Sequence, residues 1–114
     1  MEIKTLPLAS TLFGNTDTDI ESQAGALDGQ LLLSLRIIVI RENTKEPLAP
    51  KGFTLKEIWW NGQKMFKDAV PCDLFGQWVD LNTTTMAKGG QIKFKIHNPD
   101  PARFAFVAFL RVGS

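Results

Sequence analysis

The chain reads as an all-β protein, a β-sandwich, with a jelly roll preferred over an immunoglobulin-like arrangement. Three observations predict this. Apolar residues recur at every second position through most of the chain, and no window longer than about ten residues keeps a helical spacing. About seven or eight such segments are separated by turn signals built from Gly, Pro, Asn and Asp. The last two segments alternate most regularly, and they flank a proline-rich turn. The long loops and this closing pair favour the jelly roll, and the single cysteine withholds the paired cysteines of the immunoglobulin pattern.

Taken in order, Ile3–Leu8 is expected as an edge strand, because Pro7 has no N–H to give to an inner ladder. Gly14–Gly29 (GNTDTDIESQAGALDG) is the least hydrophobic stretch and offers only Ile20 and Leu27 as sizeable apolar anchors. It is expected as a mobile loop, or as an arm that orders against something else. Residues 1–29 therefore form an edge strand with a polar arm, and residues 30–114 the body of the sandwich, within one domain. Gln30–Arg41 is a long strand buried on both faces near its middle, with Ser34 and Arg36 interrupting the run. Glu42–Gly52, with Pro47 and Pro50, is a loop.

Phe53–Trp60 is a further strand whose apolar phase changes between Leu55 and Ile58, the mark of a β-bulge or a bend. Asn61-Gly62 favours two positive φ angles and so a tight hairpin, with Gln63–Phe66 returning. Gln77–Leu81 is a short strand carrying Trp78, and Lys88-Gly89-Gly90 a turn. In Gln91–His97, Ile92, Phe94 and Ile96 face one way, and Gln91, Lys93, Lys95 and His97 the other. Asn98-Pro99-Asp100-Pro101 breaks the strand. Arg103–Val112 then resumes the alternation, with Val107 and Phe109 making its second face apolar as well. The two strands are expected to pair as a hairpin, with Ile92, Phe94, Ile96, Phe104, Phe106 and Leu110 in the core.

Composition restricts function. Thirteen basic and twelve acidic side chains leave a formal charge of +1, too little for a protein that neutralises a phosphate backbone, so no nucleic-acid partner is expected. Lys93 and Lys95 read as a solvated face that discourages edge pairing. Nucleophilic catalysis with a histidine base would have to use His97, at the wet end of a strand, and Cys72 has no cationic neighbour in sequence to activate it. No glycine-rich nucleotide loop is present. Asp17-x-Asp19-x-Glu21 spaces oxygen ligands as a calcium loop does, but the sixth and twelfth positions are Ser22 and Asp28 instead of Gly and Glu. The expectation is therefore no enzyme, no catalytic or metal site and no cofactor.

The N-terminus lacks a long apolar core, so no secretory signal is expected, and the chain reads as a product starting at its own methionine. Leu31–Ile40 is half of the ~20 residues a membrane span requires. Without a secretory route, Asn82-Thr83-Thr84 is a chance match to the glycosylation pattern. Eight phenylalanines and three tryptophans without a tyrosine suit packing or an apolar interface better than a polar recognition surface. Trp59 and Trp60, adjacent in a strand, must point to opposite faces, so one is core and the other faces outward. The candidate interface residues are Trp59, Trp60, Trp78, Val107 and Phe109, serving a cyclic homo-oligomer or a larger shell. The alternative is a lectin-like module, in which tryptophans stack on sugar and Gln77, Asp80 or Asn82 supply hydrogen bonds.

The layout over roughly residues 30–112, closing on Gly90–His97 and Arg103–Val112, resembles the small single jelly-roll capsid proteins of tailless icosahedral viruses, the penton or vertex type especially. The resemblance implies a structural subunit whose partners are copies of itself and other capsid or assembly proteins, located in the virion or the host cytoplasm. Five copies would close a vertex through heterologous contacts.

Overall fold

The computed structural model describes residues 2–22, 27–60, 62–81 and 92–113. Among them no α-helix occurs, and two antiparallel sheets pack face to face as a β-sandwich. The first sheet runs β1 (Ile3–Leu12), β10 (Phe104–Gly113), β3 (Leu31–Arg41), β4 (Glu46–Leu48), with β8 (Val79–Asp80) also on β3. The second runs β2 (Thr16–Glu21), β9 (Ile92–Asn98), β5 (Thr54–Trp60), β6 (Gln63–Lys64), with β7 (Val70–Pro71) also on β5.

Alternation sets which side chains meet between the sheets. Leu35, Ile37, Phe106 and Leu110 come from the first sheet, and Ile58, Trp60, Phe94 and Ile96 from the second; all are buried. The expected core residues Ile92, Phe94, Ile96, Phe104, Phe106 and Leu110 are all in this cluster. Leu27, Phe53, Cys72 and Phe75 seal its margins, with Phe53 edge-on to Phe104 at 5.2 Å between ring centroids. Cys72 begins a 3₁₀ turn, Cys72–Phe75.

The bulge lies where the phase change placed it. Leu55 is opposite Ile96 and Glu57 opposite Lys95, so Lys56 is the extra residue. Beyond it Ile58 and Trp60 point inward and Trp59 outward. The return strand is present, with Trp59 opposite Lys64 and Trp60 opposite Gln63, and Gly62 sits at φ +73°. The expected turn at Lys88-Gly89-Gly90 lies outside the described residues.

Several elements differ from expectation. β9 and β10 do not form a hairpin: they lie in different sheets, and residues 99–103 cross between the sheets. Both strands still present their apolar faces to the same core, so alternation alone fits either arrangement. The Gly14–Gly29 stretch contains β2, which orders against β9 with Asp17, Asp19 and Glu21 opposite His97, Lys95 and Lys93. The Glu42–Gly52 loop contributes β4, paired with the end of β3. β1 is an edge strand as expected but runs to Leu12, paired with β10 along its length.

Two crossovers stack at one end of the sandwich. The β1–β2 turn lies against the β9–β10 turn, and the Asn15 N–H donates to the Asp100 carbonyl at 3.0 Å. A Cβ at Gly14 would collide with the Pro101 carbonyl, so only glycine fits this approach. Asn98, fully buried, ties the turns together. Its Nδ2 donates to the carbonyls of Phe13 (3.1 Å) and Ala102 (3.0 Å), and its Oδ1 accepts from the Asp100 N–H (2.9 Å).

Candidate functional site

The outer faces of the two sheets have opposite chemistry. On the β1–β10–β3–β4 sheet, residues directly across from one another share a face. One row is Ala9, Val107, Ile38, and its neighbour on one side is Thr11, Ala105, Ile40, Pro47. The neighbour on the other side is Pro7, Phe109, Arg36. None of these side chains is buried. Arg36 carries the one charge in the three rows. The large apolar side chains among them, Ile38, Ile40, Val107 and Phe109, are half-buried.

At the margin of this face the Arg111 guanidinium lies over the Trp78 ring, 4.1 Å from the centroid, a cation–π contact that holds both side chains in place. Ser34 shares the row of Arg111 and Asp80, and its hydroxyl donates to Asp80 Oδ1 at 3.2 Å. Ser34 is nonetheless buried.

The outer face of the other sheet is a charge ladder. Asp17, Asp19 and Glu21 of β2 oppose His97, Lys95 and Lys93 of β9, which oppose Thr54, Glu57 and Trp59 of β5. Asp17 is its best-connected acid. The Lys56 ammonium, displaced by the bulge, lies 3.0 Å from one carboxylate oxygen, and His97 Nδ1 lies 2.7 Å from the other. These contacts, Lys56 foremost, hold the Asp17 carboxyl below its ordinary value. Lys93 and Glu21 approach to 3.7 Å. The DTDIE segment read as a failed calcium loop is thus a strand whose acids face lysine and histidine. Among the described residues no group of three or more His, Cys, Asp or Glu side chains converges on a metal position.

The five candidate interface residues separate accordingly. Val107 and Phe109 lie in the apolar rows, and Trp78 at their margin. Trp60 is 4% exposed and belongs to the core, because strand alternation turns it inward beside Trp59. Trp59 is on the charged sheet, between Lys93 and Lys64 in cross-strand register. Sequence reading missed Ile38 and Ile40 as surface residues: within a continuous apolar run they are indistinguishable from core.

Cys72 and His97, the thiol and the base considered for nucleophilic catalysis, lie in different settings. Cys72 is fully buried, and desolvation pushes its thiol up to about 12, so it is protonated and unreactive. His97 serves the surface ladder. Among the described residues no helix is long and apolar enough to cross a membrane. No protein-family model, curated protein or solved structure matches the chain.

Proposed function

We propose that the chain is a non-enzymatic assembly subunit that joins copies of itself through the apolar outer face of the β1–β10–β3–β4 sheet. The observation that carries this reading is the set of adjacent rows running from Pro7 and Ala9 across Val107 and Phe109 to Ile38, Ile40 and Pro47. Apolar surface covered in this way gains free energy in proportion to area, and at a net charge of +1 copies repel one another weakly. A second copy presents the same apolar rows and the same weak charge, which makes it the matching occupant.

The strand order supports the jelly roll over the immunoglobulin arrangement. β1 pairs with β10 in one sheet and β2 with β9 in the other, so the first and last strands nest around the rest. β3 then lies beside β10, and β5 beside β9. This nesting is what a long antiparallel ribbon produces when it folds over on itself, and it gives the jelly-roll orders rather than a series of sequential hairpins. On this reading the subunit belongs in a shell such as a virion, where the neighbours are further copies and other capsid proteins.

The test is substitution on the apolar rows. Val107→Lys and Phe109→Lys should abolish self-association in light scattering while the thermal unfolding transition persists. Unchanged association in both variants refutes the proposed face.

A further inference from the structure

A second surface carries a groove of different chemistry, independent of the assembly reading. On the charged sheet Glu57, Trp59, Gly62, Lys93 and Lys95 line an open groove of about 390 Å³, within the range of small-molecule sites. Its walls come from β5, β9 and the turn after β5. Gly62, left-handed at φ +73°, contributes no side chain, and a Cβ there would meet nothing within 4 Å, so that wall is low and the groove open.

The lining has a consistent chemistry. Trp59 is the one aromatic among its described residues, partly exposed among charged neighbours, where burial of the ring would otherwise be favoured. Among the described lining residues two lysines stand beside one carboxylate. Lys93 is loosely engaged by Glu21 at 3.7 Å. Lys95 is opposite both Asp19 and Glu57, yet among the described residues no carboxylate lies within ion-pair distance of its ammonium. An indole face, a lysine with no carboxylate in ion-pair distance among the described residues, and an acceptor carboxylate thus stand within one small concavity.

We propose that this groove binds an acidic saccharide, a sugar ring carrying a carboxylate or a sulfate. The apolar C–H face of the ring lies on the Trp59 indole, the anionic group takes the Lys95 and Lys93 ammonium groups, and Glu57 accepts hydrogen bonds from ring hydroxyls. Each element of the lining has a counterpart in such a ligand. A free nucleotide suits the groove less well. Phosphate sites draw on clustered backbone N–H groups at helix N-termini or glycine-rich loops, and among the described residues the lining offers none.

The experiment is titration of the full chain with trigalacturonate and with a sulfated disaccharide, followed by backbone amide chemical shifts. Maltotriose serves as the neutral control and adenosine monophosphate as the competing anion. Saturable shifts centred on Trp59, Lys93 and Lys95 are expected for the acidic sugars, with maltotriose and the nucleotide about tenfold weaker or undetectable. Binding should weaken several-fold between about 0.01 M and about 0.15 M salt, as the screening length falls from ~30 to ~8 Å. Lys95→Gln should weaken it about tenfold and Trp59→Leu at least as much, with amide spectra confirming the fold.

Val107→Lys, on the other sheet, should leave saccharide binding unchanged, so that failure of the assembly face and failure of this site are told apart. No saturable shift with either acidic sugar at millimolar concentration overturns the proposal. So does equal binding of maltotriose or of the nucleotide, or affinity unaltered in Lys95→Gln and Trp59→Leu.

Discussion

Asn98→Ala tests whether the β9–β10 connection is a crossover between the sheets, anchored by a buried Asn98, and not a hairpin loop. The Asn98 side chain makes three hydrogen bonds, to the Phe13 and Ala102 carbonyls and from the Asp100 N–H, at 2.9–3.1 Å. Truncation leaves all three backbone groups short of that partner. The Phe13 carbonyl keeps the Thr16 hydroxyl at 2.9 Å, so its loss is the smallest. At about 1 kcal/mol for each net bond, and more where a group is left dry, the cost is about 3 kcal/mol. That is a large share of the ~5–15 kcal/mol that holds a domain together. Asn98→Asp keeps the acceptor and loses both donors, so it should cost about 2 kcal/mol or more. Urea denaturation followed by tryptophan fluorescence reads both values. An asparagine in an exposed hairpin loop would change stability by only about 0.5 kcal/mol. A loss that small in both variants would refute the crossover.

Other perturbations address the core and the titrating groups. Phe106→Ala, at a side chain 1% exposed between the sheets, should cost about 3–5 kcal/mol by the same denaturation assay. Cys72 should resist thiol reagents at neutral pH until the chain unfolds. Its raised value means that its contribution to stability is intact below the ordinary 9.0 and is lost as pH climbs towards about 12. Asp17 behaves in the opposite sense: its lowered value gives a contribution present above the ordinary 3.8 and lost as pH falls through the folded value. Wild type should therefore exceed Asp17→Asn in stability near neutral pH, and the difference should shrink in acid denaturation curves.

Much of the fold is legible in the sequence because strand periodicity is a local property. The alternation of Ile92, Phe94 and Ile96, the phase change that becomes the Lys56 bulge and the Asn61-Gly62 turn signal each depend on a few adjacent residues. Pairing is not local. Phe94 and Phe106 face the same core whether their strands lie side by side or on opposite sheets, so alternation could not separate a hairpin from a crossover. Asn98, which the sequence offers only as part of a strand-breaking turn, is the residue that ties the crossover to the β1–β2 turn in the structure. β2 was hidden for a related reason. Ile20 is its one buried apolar residue, and Asp17, Asp19 and Glu21 make it look like a loop. Its partner was nevertheless readable, since three acids at alternate positions match Lys93, Lys95 and His97 read in the reverse direction.

The same limit applied to the surfaces. Val107 and Phe109 stood out because they made a second apolar face on a strand whose first face was already assigned to the core. Ile38 and Ile40 did not, because β3 is apolar on both faces and only its register with β10 shows which residues point outward. Trp59 and Trp60 were separable into one inward and one outward residue, but which was which depended on the bulge.

The most direct test of the assembly account is sedimentation of the wild-type chain over a wide concentration range, at low and at high salt. Burial of the apolar rows is not screened by ions, so concentration-dependent association should persist undiminished at high salt and disappear in Val107→Lys. A wild-type chain that sediments as a monomer at high concentration in both salts would contradict the account.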